Sequence, residues 1–83
     1  MRNKTSKLEK LIDKHGLRLV HVGALSRLWI ACQREGGSIP AVEHKVYDLT
    51  HCRTLVECDA VDEMLDQFYR ESDGRYFPTE EVR

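Results

Sequence analysis

Aromatic side chains are scarce in this chain, 7% of 83 residues with one tryptophan, and proline occurs twice. No apolar run approaches the roughly 20 residues that a membrane-spanning helix needs, so no span is expected. The opening stretch MRNKTSKLEK is charged and leads into no apolar segment, so no secretory signal is expected. A phosphate-cradling loop is missing too. The one glycine pair, in EGGS, lacks the Lys-Ser/Thr and the helix that would follow it in a P-loop. Cysteine is sparse and odd in number: Cys32, Cys52 and Cys58. A secreted disulfide scaffold brings more cysteines, in even number. The expectation is free thiols in a reducing, cytoplasmic setting.

The same sparseness argues against metal and redox chemistry. The candidate ligands are His15, His21, His44, His51 and the three cysteines. Structural zinc sites bring ligands in close pairs, because a tight turn must aim two side chains at one ion. No such pair occurs. Cys52 and Cys58 are separated by five residues rather than the two of a thioredoxin-like motif. A Cys–His hydrolytic arrangement needs nucleophile, base and an orienting third group in contact, and sequence neighbours on a strand point to opposite faces. No enzyme activity and no cofactor are expected.

What is present is an ordinary globular composition, 41% hydrophobic and 33% charged. A chain of this length buries roughly 60–65% of the surface exposed when unfolded, so its core is modest. We expect a single domain over 1–83, with a folded body at 5–74 and loosely held ends at 1–4 and 75–83. The net charge of −1 conceals an asymmetry. Residues 1–35 carry eight Lys/Arg and three Asp/Glu, and residues 36–83 carry five and eleven, giving +5 and −6.

Two helices announce themselves. Ser6 and Glu9 form a capping box, in which the hydroxyl accepts a free amide and the carboxylate reaches back. Leu8, Leu11 and Ile12 then share a face, and Gly16 ends the helix. Thr54 and Glu57 form a second capping box. Behind it Leu55, Cys58, Val61, Leu65 and Phe68 make an apolar stripe, widened by Met64 and Tyr69. The opposite side carries Asp59, Asp62, Glu63 and Asp66. Cys58 then serves as a small hydrophobe, and Gly74 marks the end of the helix.

Between them the pattern alternates. LRLVHVG has the length and β-branched content of a strand, and Val42, His44 and Val46 alternate with Glu43, Lys45 and Tyr47. Strands near 17–22, 27–34 and 41–48 give the expected fold: α+β, a two-layer sandwich ordered helix, three-stranded antiparallel sheet, helix. In this arrangement His21 and His44 fall on strands that could bring them together as a pH-sensitive spot. The alternative is an all-α small bundle, because Leu25, Leu28, Trp29 and Cys32 also fit a helical step.

Two short helices cover one face of such a sheet and leave the other open. Trp29, Ala31 and Tyr47 would lie on that open face, the kind of exposed aromatic patch that binds a partner. With Asp59, Asp62, Glu63 and Asp66 they are the candidate partner-binding residues. The expected function is a small non-enzymatic protein-binding module, an adaptor or inhibitor that occupies another protein's surface as a monomer or homodimer. The alternative is a nucleic-acid-binding regulator that uses Lys7, Lys10 and Lys14, which share one face of the first helix. A metal or thiol protein is a distant third.

Overall fold

The computed structural model describes the backbone of residues 4–83 and side chains from residue 7. In order, the elements are α1 (Lys4–His15), α2 (Leu19–Arg34), β1 (Ile39–Pro40), α3 (Glu43–Thr50), α4 (Leu55–Phe68), β2 (Tyr69–Ser72) and β3 (Arg75–Pro78). The class is α+β and the sheet is three-stranded and antiparallel, in the order β1-β3-β2. Its place in the chain differs from expectation, and the all-α alternative does not hold.

The first helix forms where its apolar spacing predicts. Leu11 is buried, and Gly16 closes the helix at φ 63, a backbone region that L side chains rarely adopt. Ser6 lies inside α1, and its side chain is outside the described residues, as is its proposed capping bond.

The two strands expected at 17–22 and 27–34 are one helix, α2. Length decides the matter. Sixteen helical residues bury Ala24, Leu25, Leu28, Ala31 and Cys32 along a single stripe, which two short strands could not do against the same neighbours. The third expected strand, 41–48, is α3 instead, with Val46 and Thr50 turned inward. A helix of eight residues has little stability of its own, so packing must hold it. Thr50 returns its hydroxyl proton to the Val46 carbonyl at 2.8 Å, and Arg27 of α2 donates to the Thr50 and His51 carbonyls at 3.1 Å. Arg27 thereby satisfies the free Thr50 carbonyl at the α3 terminus, while the Tyr47 and Asp48 carbonyls accept from the Cys52 and His51 amides.

α4 starts at the expected cap. Thr54 Oγ1 accepts from the Glu57 amide at 3.2 Å, while the Glu57 carboxylate accepts from the Arg53 amide at 2.8 Å. Val61, Met64, Leu65 and Phe68 are buried, but Leu55 at the head of the stripe is 77% exposed. The helix ends at Phe68, well before Gly74. Asp73 and Gly74, at φ 54 and 74, instead form the turn of the β2–β3 hairpin. Positive φ at both central residues is what a two-residue hairpin of right-handed twist requires. The tail expected to be loosely held thus supplies β3, and beyond it Val82 is buried. β1 adds two residues beside β3, Ile39 opposite Tyr76 and Pro40 opposite Arg75. Pro40 fits there because β1 is an edge strand.

One core joins these pieces. Leu25, Leu28 and Cys32 from α2 meet Val61, Met64, Leu65 and Phe68 from α4, with Val46, Ile39 and Leu11 around them. Each fully buried side chain of this kind contributes about 1.5–3 kcal/mol. Among the described residues no helix is long and apolar enough to cross a membrane.

Candidate interaction site

The most chemically pointed surface lies where α3, α4 and β3 meet. Glu43 and Tyr47 are one helical turn apart on α3, and Asp62 and Asp66 are one turn apart on α4. Tyr76 comes from β3. With Ala41, Val46 and Leu65 they line a groove of about 290 Å³. The Tyr47 hydroxyl sits among carboxylates, 2.9 and 3.1 Å from the two Asp62 oxygens and 3.2 Å from Glu43 Oε2. Its one proton is shared over those acceptors.

Both phenols report the negative potential. Burial first, then Asp62 and Glu43, pushes the Tyr47 hydroxyl well above the usual tyrosine range. Burial, then Glu71, Asp66, Asp62 and Glu43, raises Tyr76 as well. The ion pairs among the described residues are Lys14–Glu81, His15–Glu81 and His21–Glu63. None of them involves Glu43, Asp62 or Asp66, so among the described residues no ion pair neutralises these three carboxylates. Nor does any group of three or more His, Cys, Asp or Glu among those residues fit a metal ion.

The structure sorts the sequence candidates unevenly. Tyr47, Asp62 and Asp66 come together in the groove. Asp59 is exposed on the same helix, and Glu63 is hydrogen-bonded to His21 of α2. Trp29 and Ala31 do not join them. The open sheet face assumed a sheet over 17–48, and that segment is largely helical. Ala31 is only 2% exposed and belongs to the core. Trp29 is half-buried and lines a separate apolar groove with Leu8, Leu11, Leu25, Ile30 and Val82. The supposed His21–His44 neighbourhood also needed adjacent strands; His21 bonds Glu63 instead, and His44 is exposed on α3. The three lysines of the basic stripe all lie on α1. Lys10 is exposed, Lys14 pairs with Glu81 at 3.0 Å, and Lys7 is half-buried beside the Trp29 groove.

Sequence reasoning missed Glu43 and Tyr76. On a strand Glu43 and Tyr47 are only alternate residues; on the helix over 43–50 they stand one turn apart. Tyr76 was assigned to the tail, although the Asp73-Gly74 pair before it is a strong hairpin signal.

A family model described as "Protein of unknown function (DUF1376)" matches residues 6–80, and the chain belongs to that family. No curated protein and no solved structure matches it.

Proposed function

We propose that this member of the DUF1376 family is a small, non-catalytic protein-binding module, and that its acid and tyrosine groove receives a basic side chain from the partner. The observation that carries this reading is the convergence of Glu43, Asp62 and Asp66 on Tyr47 and Tyr76, with none of the three carboxylates in an ion pair among the described residues. A Lys or Arg entering the groove would meet carboxylates at close range beside two phenol side chains. Three free thiols suit a reducing compartment, which supports a cytoplasmic setting.

The charge of α4 weighs against the nucleic-acid alternative. α3 and α4, joined by residues 51–54, follow one another as helix, turn, helix, with the β2–β3 hairpin next. In DNA-binding domains of that order the second helix enters the major groove. Here the second helix, LVECDAVDEMLDQF, has no Lys or Arg and exposes Asp59, Asp62, Glu63 and Asp66. Phosphates would repel that face.

The test pairs two probes in NMR titrations, an arginine-rich peptide and a generic DNA duplex. The peptide is expected to shift the amides of 43–47, 62–66 and 76. Asp62→Asn should weaken it about tenfold, the order of one charge-assisted contact, and Glu80→Gln, outside the groove, should not. Salt-sensitive duplex binding that Lys10→Glu abolishes would instead favour the nucleic-acid reading.

A further inference from the structure

Cys52 and Cys58, separated by five residues in sequence, are brought close by the fold. His51 ends α3 in the left-handed region at φ 60, and the chain then doubles back towards the Thr54 cap. That path lays Cys52 alongside the helix it precedes. Its Sγ lies 3.1 Å from Thr50 Oγ1 and 3.9 Å from the carbonyl oxygen of Glu57, the residue directly before Cys58. The Cys52 sulfur thus lies against the peptide unit that joins Glu57 to Cys58. Both are half-exposed, whereas Cys32 is buried in the core.

We propose that Cys52 and Cys58 form a reversible intramolecular disulfide that staples the α3–α4 turn to the start of α4. The oxidant is a low-molecular-weight disulfide such as oxidised glutathione. The Cys52 thiolate attacks one sulfur of that disulfide; its S–S bond breaks, and one glutathione leaves and takes up a proton. The Cys58 thiolate then attacks the Cys52 sulfur of the mixed disulfide and expels the second glutathione. Two protein thiols are oxidised, and one glutathione disulfide is reduced to two thiols. Burial, followed by the neighbouring Cys52, pushes the Cys58 thiol up, which suits it to the second, resolving step rather than the first. The staple holds the turn between the helices that carry Tyr47 and Asp62, so it would stiffen the groove between them. The inference stands on the thiols alone and does not need the groove to bind anything.

The test incubates the folded, reduced protein with oxidised glutathione at about pH 8, near the ordinary thiol pKa of about 8.5. Intact mass and peptide mapping then follow the thiols. The expected product has lost two hydrogens per chain, maps to a Cys52–Cys58 link and is reversed by dithiothreitol. Cys32→Ser should keep this reaction. Cys52→Ser and Cys58→Ser should each abolish it, leaving a glutathione adduct on the remaining thiol; Cys58→Ala replaces the serine variant if that one does not fold. Stalling of the unaltered protein at the glutathione adduct overturns the proposal. So do chain-to-chain links in place of the internal one, a link to Cys32, or a link that forms only after circular dichroism shows loss of helix.

Discussion

Asp62 on α4 accepts the Tyr47 hydroxyl of α3 at 2.9 Å, so two helices that follow one another in sequence are also joined by a side-chain bond at the rim of the acidic groove. This contact makes Tyr47 both a structural tie and part of the proposed binding surface. The two roles separate under substitution. Tyr47→Phe keeps the ring and removes the donor. We expect a loss of about 0.5–1 kcal/mol, the low end for a hydrogen bond because the site is exposed. Urea melts measure it. The ring and carboxylates remain for a basic ligand, so affinity for the arginine-rich peptide should change little. A tenfold loss would mean that the hydroxyl itself makes the contact.

Thr54→Ala tests the start of α4. The substitution removes the oxygen that accepts the Glu57 amide, at a cost of about 1 kcal/mol. An unchanged urea midpoint would show that the Glu57 carboxylate, bonded to the Arg53 amide, holds the first turn unaided.

Stability at acid pH should depend on Glu81. His15 and Lys14 hydrogen-bond its carboxylate, at 2.7 and 3.0 Å, and hold its pKa below the usual carboxylate range. A carboxyl with a depressed folded-state pKa contributes stability above its unfolded value and loses it as pH falls through the folded one. Denaturation midpoints should therefore drop below about pH 4.5, the region of the ordinary Glu pKa. Glu81→Gln should flatten part of that drop. Some slope should survive, because Glu57 is also lowered, first by its bond from the Arg53 amide.

The alkaline side has the opposite sign. Burial, then Cys32, raises Tyr69, and Tyr47 and Tyr76 are raised as well. A phenol with a raised folded-state pKa binds its proton more tightly in the folded protein. Its contribution is complete below the unfolded value, about 10, and is lost as pH rises through the folded one. Absorbance titration should show phenol ionisation delayed beyond pH 10, with stability falling over the same range. Ionisation of all three tyrosines near 10 with the fold intact would refute it.

α1 and the start of α4 were more legible than the middle and the tail, for a physical reason. Capping residues act within a few positions, so Thr54 and Glu57 marked the start of α4 whatever the rest of the fold did. Leu8 and Leu11 marked α1 likewise. Residues 17–34 carry both a period of two and a period of about 3.6, and nothing local chooses between them. Burial of Leu25, Leu28 and Cys32 against α4 makes the choice, and that is tertiary information. The hairpin's turn signal, Asp73-Gly74, is local, but it competes with the apolar step through Phe68, which points to a helix running on to Gly74. The groove was half legible. Its acidic side follows from the pattern of α4, but its meeting with Tyr47 and Tyr76 depends on the α3–α4 turn and on the hairpin. The same turn explains why Cys52 and Cys58 looked unrelated in sequence.

Trp29 gives the sharpest contrast between the two pictures. On an open sheet face its loss would have weakened partner binding and left stability alone. In the fold it is half-buried on α2, facing Leu8 and Leu11 of α1 and Val82 of the tail across an apolar groove of about 290 Å³. Trp29→Ala should therefore act first on stability. A fully buried Trp or Phe costs about 3–5 kcal/mol on truncation, and a half-buried ring bordering an existing groove about half of that. The loss should centre on α1 and the tail, because the ring lines the groove together with Leu8, Leu11 and Val82. Hydrogen exchange should speed up in residues 8–15 and 79–83, while amides of α4 keep their protection. The acid and tyrosine groove lies on other elements, so peptide affinity measured below the unfolding transition should be unchanged. Lost affinity with undiminished stability would return Trp29 to the binding surface and displace the groove from that role.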